Sequence, residues 1–358
     1  MTQNKPSTNQ AGAPALPSSR STPPVLNGET QSTLRRLFTG QRLSALGLLP
    51  VIVVVAILGA ITSSSFLTWS NIVNNIVAYS APLAILVIAE GIILIGGYFD
   101  LSLQSTVGFS VVLMAVLMGS SGAGGLGWPS AIAVLAMVAA AVVIGLVNGF
   151  MVSTLKLNAF IVTLAMLILL QGLTLGISKG KTYTDLPDFI NYLGSGRILG
   201  LPVQAVIFVL AFALAAVFMR LVPTGRSLYA MGGSAEAARA AGINTRRLTI
   251  GLFVFGSLMA VFAGLLLVSQ TSAAAPSLGN GIIFNVFAAA VLGGIDLNGG
   301  RGSLVGAALG VLLLGMIQNI LTLSNVPSFW IDAANGAIIL GALLVGRVSS
   351  LASKMRRS

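Results

Sequence analysis

From Ser44 onward the chain is a succession of long apolar runs separated by short polar breaks. The runs are too long for strands and match the length of membrane-crossing helices, which need about 20 apolar residues to cross about 30 Å of hydrocarbon. Ten spans are predicted, at 44–66, 72–95, 102–120, 129–152, 159–178, 201–221, 248–270, 282–294, 303–323 and 329–346. The eighth is short for a full crossing. Pro129 and Pro202 fall at predicted first-turn positions, where a missing N–H costs little. Pro82 lies inside the second run and is expected to kink or break it. The fold class expected is an all-α polytopic membrane protein of about ten transmembrane helices, some broken or re-entrant.

Composition strengthens this picture. The 358 residues are 56% hydrophobic and only 8% charged, against about 25% charged in soluble domains, so most of the surface must be solvated by lipid. Residues 1–43 differ: they hold Pro6, Pro14, Pro17, Pro23 and Pro24 among Ser, Thr, Asn and Gln. Such a segment buries too little apolar surface to offset its ordering entropy, so it reads as a disordered cytoplasmic tail. It has no apolar h-region and is not a signal peptide.

The net charge of +11 would suggest nucleic acid in a soluble protein, but its distribution gives another cause. With the tail cytoplasmic, ten spans return the C-terminus to the cytoplasm. Sixteen of the 19 basic residues then lie on that side, leaving Lys179, Lys181 and Arg197 outside with Asp185 and Asp188. This follows the positive-inside rule, and nucleic acid is dropped as a partner.

Much chemistry is excluded. There is no cysteine and no histidine, hence no disulfide, thiol nucleophile, imidazole base or His/Cys metal site; no cofactor and no metal are expected. Gly122-Ala-Gly-Gly-Leu-Gly127 fits the dinucleotide pattern but lies between two spans with no βαβ unit. Gly180-Lys181-Thr182 resembles the end of a P-loop, yet the required earlier glycine is Leu175.

The longest cytoplasmic loop, about 222–247, contains Gly-Gly-Ser-Ala-Glu-Ala-Ala-Arg-Ala-Ala-Gly-Ile-Asn, Gly232 to Asn244. Ser234 is a good N-cap, Glu236 suits the positive end of a helix, and Gly242 suits the C′ position. A short capped helix is predicted, small enough to insert into a partner's groove; the plain alternative is a solvated connector.

Three stretches carry a resemblance: Gly225–Asn244 (GRSLYAMGGSAEAARAAGIN), Ala288–Gly310 (AAAVLGGIDLNGGRGSLVGAALG) followed by Gln318-Asn319, and Leu94–Ser102 (LIGGYFDLS). In order and spacing they resemble the membrane permease subunit of bacterial ABC importers of the ribose/xylose/galactose family, over roughly 300 residues. The resemblance implies a permease domain over 44–346, a basic cytoplasmic C-terminus over 347–358, and a bacterial inner-membrane location. It also implies a cytoplasmic ABC ATPase, an external solute-binding protein and a second permease chain, identical or not, as partners beside the bilayer. Gly233, Glu236, Ala237, Ala238 and Gly242 match the element that docks on the ATPase. Two segments depart from the family pattern: Gly96-Gly97-Tyr98-Phe99-Asp100 has one extra residue, and Ile282–Ala288 has no carboxylate.

Substrate-path candidates are Glu90, Asp100, Phe99, Asn74, Asn285, Gln318 and Asn319. An intramembrane carboxylate costs at least about 2.5 kcal/mol unless it faces a cavity or partner; Glu90 is expected to face the interior with the four amides, or else to join helices by a hydrogen bond. Asp332 is expected at the interface. The phrases Gly96–Leu101 and Gly293–Leu297 read as an internal repeat, as in many transporters, or as chance similarity. Gly145/Gly149 and Gly302/Gly306/Gly310 form small-residue strips expected to serve helix contacts within the chain. The function expected is a sugar or small polar solute permease of an ABC importer; the alternative is an ion-coupled transporter using Glu90 or Asp100. An intramembrane aspartyl protease built on Asp100 and Asp296 lacks the Gly-x-Gly-Asp motif.

Overall fold

The computed structural model describes residues 1–2, 47–120, 124–327, 329–331, 333–334, 336–337 and 340–341. The chain divides into two units, 1–40 and 41–358, and the helices belong to the second. Half of the tenth expected span lies outside the described residues, as do Asp332, Gly122 and the basic C-terminus.

The described part is helical. In order it comprises α1 (Leu49–Thr62), the π-helical α2 (Asn71–Ala78), α3 (Ala81–Ile95), α4 (Leu103–Met118), α5 (Ser130–Ser153), α6 (Ala159–Ser178) and α7 (Asp188–Ser195). A two-residue hairpin follows, β1 (Arg197–Ile198) antiparallel to β2 (Leu201–Pro202). Then come α8 (Val203–Leu221), α9 (Pro223–Gly233), α10 (Ala235–Ala240), α11 (Thr245–Thr271), α12 (Ile282–Leu292) and α13 (Leu304–Leu323). Among the described residues, α5, α6, α8, α11 and α13 are long and apolar enough to cross a membrane, and α2 and α3, which meet at a 41° bend, are so only when taken together. α1, α4 and α12 are apolar but shorter. Pro82 sits in the first turn of α3, so the expected break falls just before it, at Tyr79-Ser80.

α3 is the axis of the bundle: of its 15 residues only Leu83 is not buried. A helix apolar on all sides is stable only when enclosed, and α8, α9, α11, α12 and α13 enclose it. The outer helices turn Leu135, Ile168 and Leu214 outward, each more than 60% exposed. A belt of such side chains would be an aggregation surface in water and is the normal face toward lipid.

The glycine strips join helices within the chain, as expected. A Cβ at Gly145 would lie 2.5 Å from Val254 Cα and one at Gly149 2.7 Å from Ile250 Cα, so α5 presses directly on α11. A Cβ at Gly306 would lie 2.1 Å from the Gly293 carbonyl oxygen and one at Gly310 2.2 Å from that of Ala289, so only glycine lets α13 lie this close to α12. Gly302 precedes the N-cap Ser303 and lies outside the helical strip.

Two non-helical segments run deep beside α4. After Gly97 the chain turns back and brings Asp100 alongside Glu90, six residues before the C-cap of α3. Residues 272–281 approach α4 from its other end: Gly108 meets the Leu278 carbonyl, and Gly281 N–H donates to Gln104 Oε1 at 3.1 Å. Non-helical backbone at membrane depth is tolerated where protein or a cavity satisfies it, and Gln104 does so here.

Candidate functional site

The acidic candidates form one sealed cluster. Glu90 and Asp100 are both 0% exposed. Glu90 Oε1 accepts the Asp100 N–H at 3.2 Å, and Asp100 Oδ1 accepts both the Ser102 N–H at 2.9 Å and its hydroxyl. Asn148 of α5 donates to Ser102 Oγ at 3.0 Å, and Thr163 of α6 accepts the Leu101 N–H at 3.1 Å. The carboxylates thus fix the turn after α3 to the start of α4, and Asn148 and Thr163 tie that turn to α5 and α6. Among the described residues, Glu90 Oε2, Asp100 Oδ2 and Asn148 Oδ1 have no hydrogen-bond partner.

The single group expected around Glu90 is divided into separate places. Asn319 of α13 pairs reciprocally with Asn71 of α2: Asn71 Nδ2 donates to Asn319 Oδ1 at 2.7 Å and Asn319 Nδ2 returns a bond of 3.2 Å. Asn74 donates to Ser70 and accepts a 3.4 Å bond from Arg197. Neither bonds to Glu90, because the bend before Pro82 carries α2 away from the C-terminal half of α3. Asn285 and Gln318 are half-buried. Phe99 stacks on Phe287 of α12 with centroids 5.9 Å apart. Phe99, Asn285 and the Gln104–Gly281 contact border the junction of the two non-helical segments. Gln104, Asn148 and Asn71 were not among the sequence candidates; their signal was an isolated amide in or beside an apolar run.

The loop helix forms as its sequence dictates. Ser234 caps α10 by accepting the Ala237 N–H at 3.2 Å, and Glu236 lies in the first turn. Gly242 adopts φ +83°, and the Gly242 and Ile243 N–H groups bond to Arg239 and Ala238 carbonyls at 2.9 and 3.0 Å. Gly233, Glu236, Ala237 and Gly242 are exposed. Ala238 is not; it is 3% exposed within the main core, so it anchors α10 rather than offering a contact.

What α10 rests on connects it to the interior. The repeated glycine phrases close α3 and α12 in the same way: Gly96/Gly97/Tyr98 bond to the carbonyls of Ile92/Leu94/Ile93, and Gly293/Gly294/Ile295 to those of Ala289/Val291/Ala290. Gly97 and Gly294 have φ of +87° and +82°. Each phrase has an aspartate as its next-to-last residue, whose Oδ1 accepts the N–H two residues on, of Ser102 and of Asn298 at 2.9 Å each. The repeat is therefore a repeat of structure. Gly300 N–H donates to the Ile95 carbonyl at 2.9 Å, and Gly232, just before α10, fits between them: its Cβ would lie 1.9 Å from Ile95 O and 2.5 Å from Gly300 N. Tyr229 of α9 adds a 2.9 Å bond to Gly302 O.

The last turn of α9, just before α10, is thus seated on the end of α3 and the loop that follows α12, and polytopic bundles with interrupted apolar helices are common among transporters. Residues 72–348 match the family described as branched-chain amino acid transport system, permease component. The chain belongs to this family. Among the permease's relatives, the ribose import permease protein RbsC of Escherichia coli (strain K12) is 32% identical over 316 residues, 87% of this chain and 96% of its own length. The Bacillus subtilis (strain 168) protein of that name is 33% identical over 307 residues, 85% of this chain and 92% of its own. The L-arabinose ABC transporter permease protein AraH of Azospirillum brasilense is 31% identical over 304 residues, 85% of this chain and 88% of its own. The permease is a transport subunit of the ABC importer type and not an enzyme, which removes the protease reading of Asp100 and Asp296.

Proposed function

We propose that the permease carries a sugar, in the first instance a five-carbon aldose, across the bacterial inner membrane, driven by a cytoplasmic ABC ATPase that grips α10. The observation that carries this reading is the junction of Gly232, in the last turn of α9 just before α10, with the end of α3 and the loop that follows α12. A force on α10 reaches both discontinuous helices through one backbone contact, without passing through a flexible linker. The names of the ribose and L-arabinose relatives support the solute class.

The solute path runs along Phe99 and Asn285, beside the non-helical segments, where exposed backbone groups and an amide can meet hydroxyls. Glu90 and Asp100 stand behind that path as positioning residues that hold the turn carrying Phe99. Asn74, Gln318 and the Asn71–Asn319 pair belong to the end of the bundle with Arg197, the entry side. An external binding protein delivers solute there, and a second permease chain completes the path.

Charge supports the orientation. Lys156, Arg220, Arg226, Arg239, Arg246, Arg247 and Arg301 lie at or near the end that carries α10, whereas Lys179, Lys181 and Arg197 lie toward the other. By the positive-inside rule the α10 end is cytoplasmic, as are both termini, and the short helices complete about ten spans. Glu236→Lys places a cation at the positive end of α10, and Gly242→Leu forces a side chain into a left-handed position. Both variants should assemble in the membrane yet lose solute-stimulated ATP hydrolysis and uptake in proteoliposomes. Wild-type stimulation in both would refute the coupling role.

A further inference from the structure

A cavity of about 960 Å³ lies away from the solute path, between α8 and α11 with α3 as its floor. Its walls are one face of each helix: Ile85, Ile88 and Ile92 from α3, Leu214 and Phe218 from α8, and a row on α11 from Leu248 to Phe262. The fourteen helical steps from Leu248 to Phe262 span about 21 Å, more than the ~15 Å of one leaflet's hydrocarbon. The groove opens outward at Gly251, where a Cβ would meet nothing within 4 Å.

One end of this groove is polar. Arg247, Asn244 and Thr224 line it beside the first turn of α9, which begins at Pro223. Arg247 is the one charged residue in the lining, and no acid accompanies it. Its side chain is exposed and makes no hydrogen bond to any described residue, whereas neighbouring Arg246 bonds to Thr154 and Arg239 to Thr245. The first-turn N–H groups of α9 add the partial positive charge of a helix start.

An apolar channel of leaflet depth, ending in a guanidinium and a helix N-terminus, is complementary to an acyl chain attached to an anionic phosphate headgroup. We propose that the groove is a binding site for an anionic phospholipid, with an acyl chain along α11 and the phosphate on Arg247. Gly242 of the coupling loop also lines this groove, so the bound lipid braces the segment that follows α10.

The test is native mass spectrometry of the full chain purified in mixed micelles containing phosphatidylglycerol or phosphatidylcholine. Wild type should retain phosphatidylglycerol preferentially. Arg247→Gln should weaken that retention about fivefold, the contribution of one basic residue at a membrane surface, and leave phosphatidylcholine unchanged. Gly251→Leu should reduce retention of both lipids by filling the groove, with helical circular dichroism confirming that both variants are folded. Equal retention of the two lipids by wild type, or unchanged phosphatidylglycerol in both variants, would overturn the proposal. So would an unchanged lipid count with loss of a dimer in Gly251→Leu, which would assign the groove to a second copy.

Discussion

Gly232→Ala isolates the contact on which the coupling account rests. The new Cβ would stand 1.9 Å from the Ile95 carbonyl oxygen, whereas ordinary contact begins at 3.4 Å, so the loop and the end of α3 must part by about 1.5 Å. That separation breaks the 2.9 Å bond from Gly300 to Ile95. Overpacking costs about 1–3 kcal/mol and an orphaned backbone group about 1–3 kcal/mol more. With partial relaxation, a net loss of about 2–4 kcal/mol is expected, or ~5 °C in thermal unfolding. Gly233→Ala is the matched control: it changes the next residue identically, and a Cβ there meets nothing within 4 Å. Both variants would be followed by thermal unfolding in detergent and by solute-stimulated hydrolysis with the partner ATPase. Gly232→Ala should lose both stability and stimulation, while Gly233→Ala keeps its unfolding temperature. Indistinguishable unfolding temperatures and hydrolysis would refute the junction as the mechanical link.

Two further substitutions probe the buried polar groups. Asp100→Asn keeps an oxygen for the Ser102 N–H and should unfold near wild type, whereas Asp100→Ala orphans buried donors and should cost about 2–3 kcal/mol in denaturant unfolding. Glu90→Gln likewise keeps an acceptor for the Asp100 N–H and should retain uptake; loss of uptake with unchanged stability would place Glu90 in the path itself. A double-mutant cycle of Asn71→Ala and Asn319→Ala should give a coupling of about 1 kcal/mol in unfolding; additive effects would show the pair to be incidental.

The helices that face lipid were the legible part of the fold. The run 159–178 coincides with α6, and Asn158 supplies the side-chain cap that marks its start. α10 was equally legible, because Ser234, the alanines and Gly242 are local signals that act within one turn. What stayed hidden depends on distance along the chain. Asn148 bonds to Ser102 46 residues away and Asn71 to Asn319 248 residues away, so nothing near either one reveals its partner. Hydropathy likewise could not separate a crossing from a break: 102–120 reads as one span, yet α4 has 16 residues because the turn holding Asp100 lies at membrane depth. α9 escaped notice because Pro223 and three glycines look like a loop until Tyr229 finds Gly302.

The importer reading is tested most directly by uptake of radiolabelled D-ribose and L-arabinose into proteoliposomes holding the permease with its ATPase and binding protein. Accumulation should require ATP and all three proteins, persist when ion gradients are collapsed, and vanish when the ATPase is omitted. Accumulation by the permease alone under a proton or sodium gradient would contradict the account.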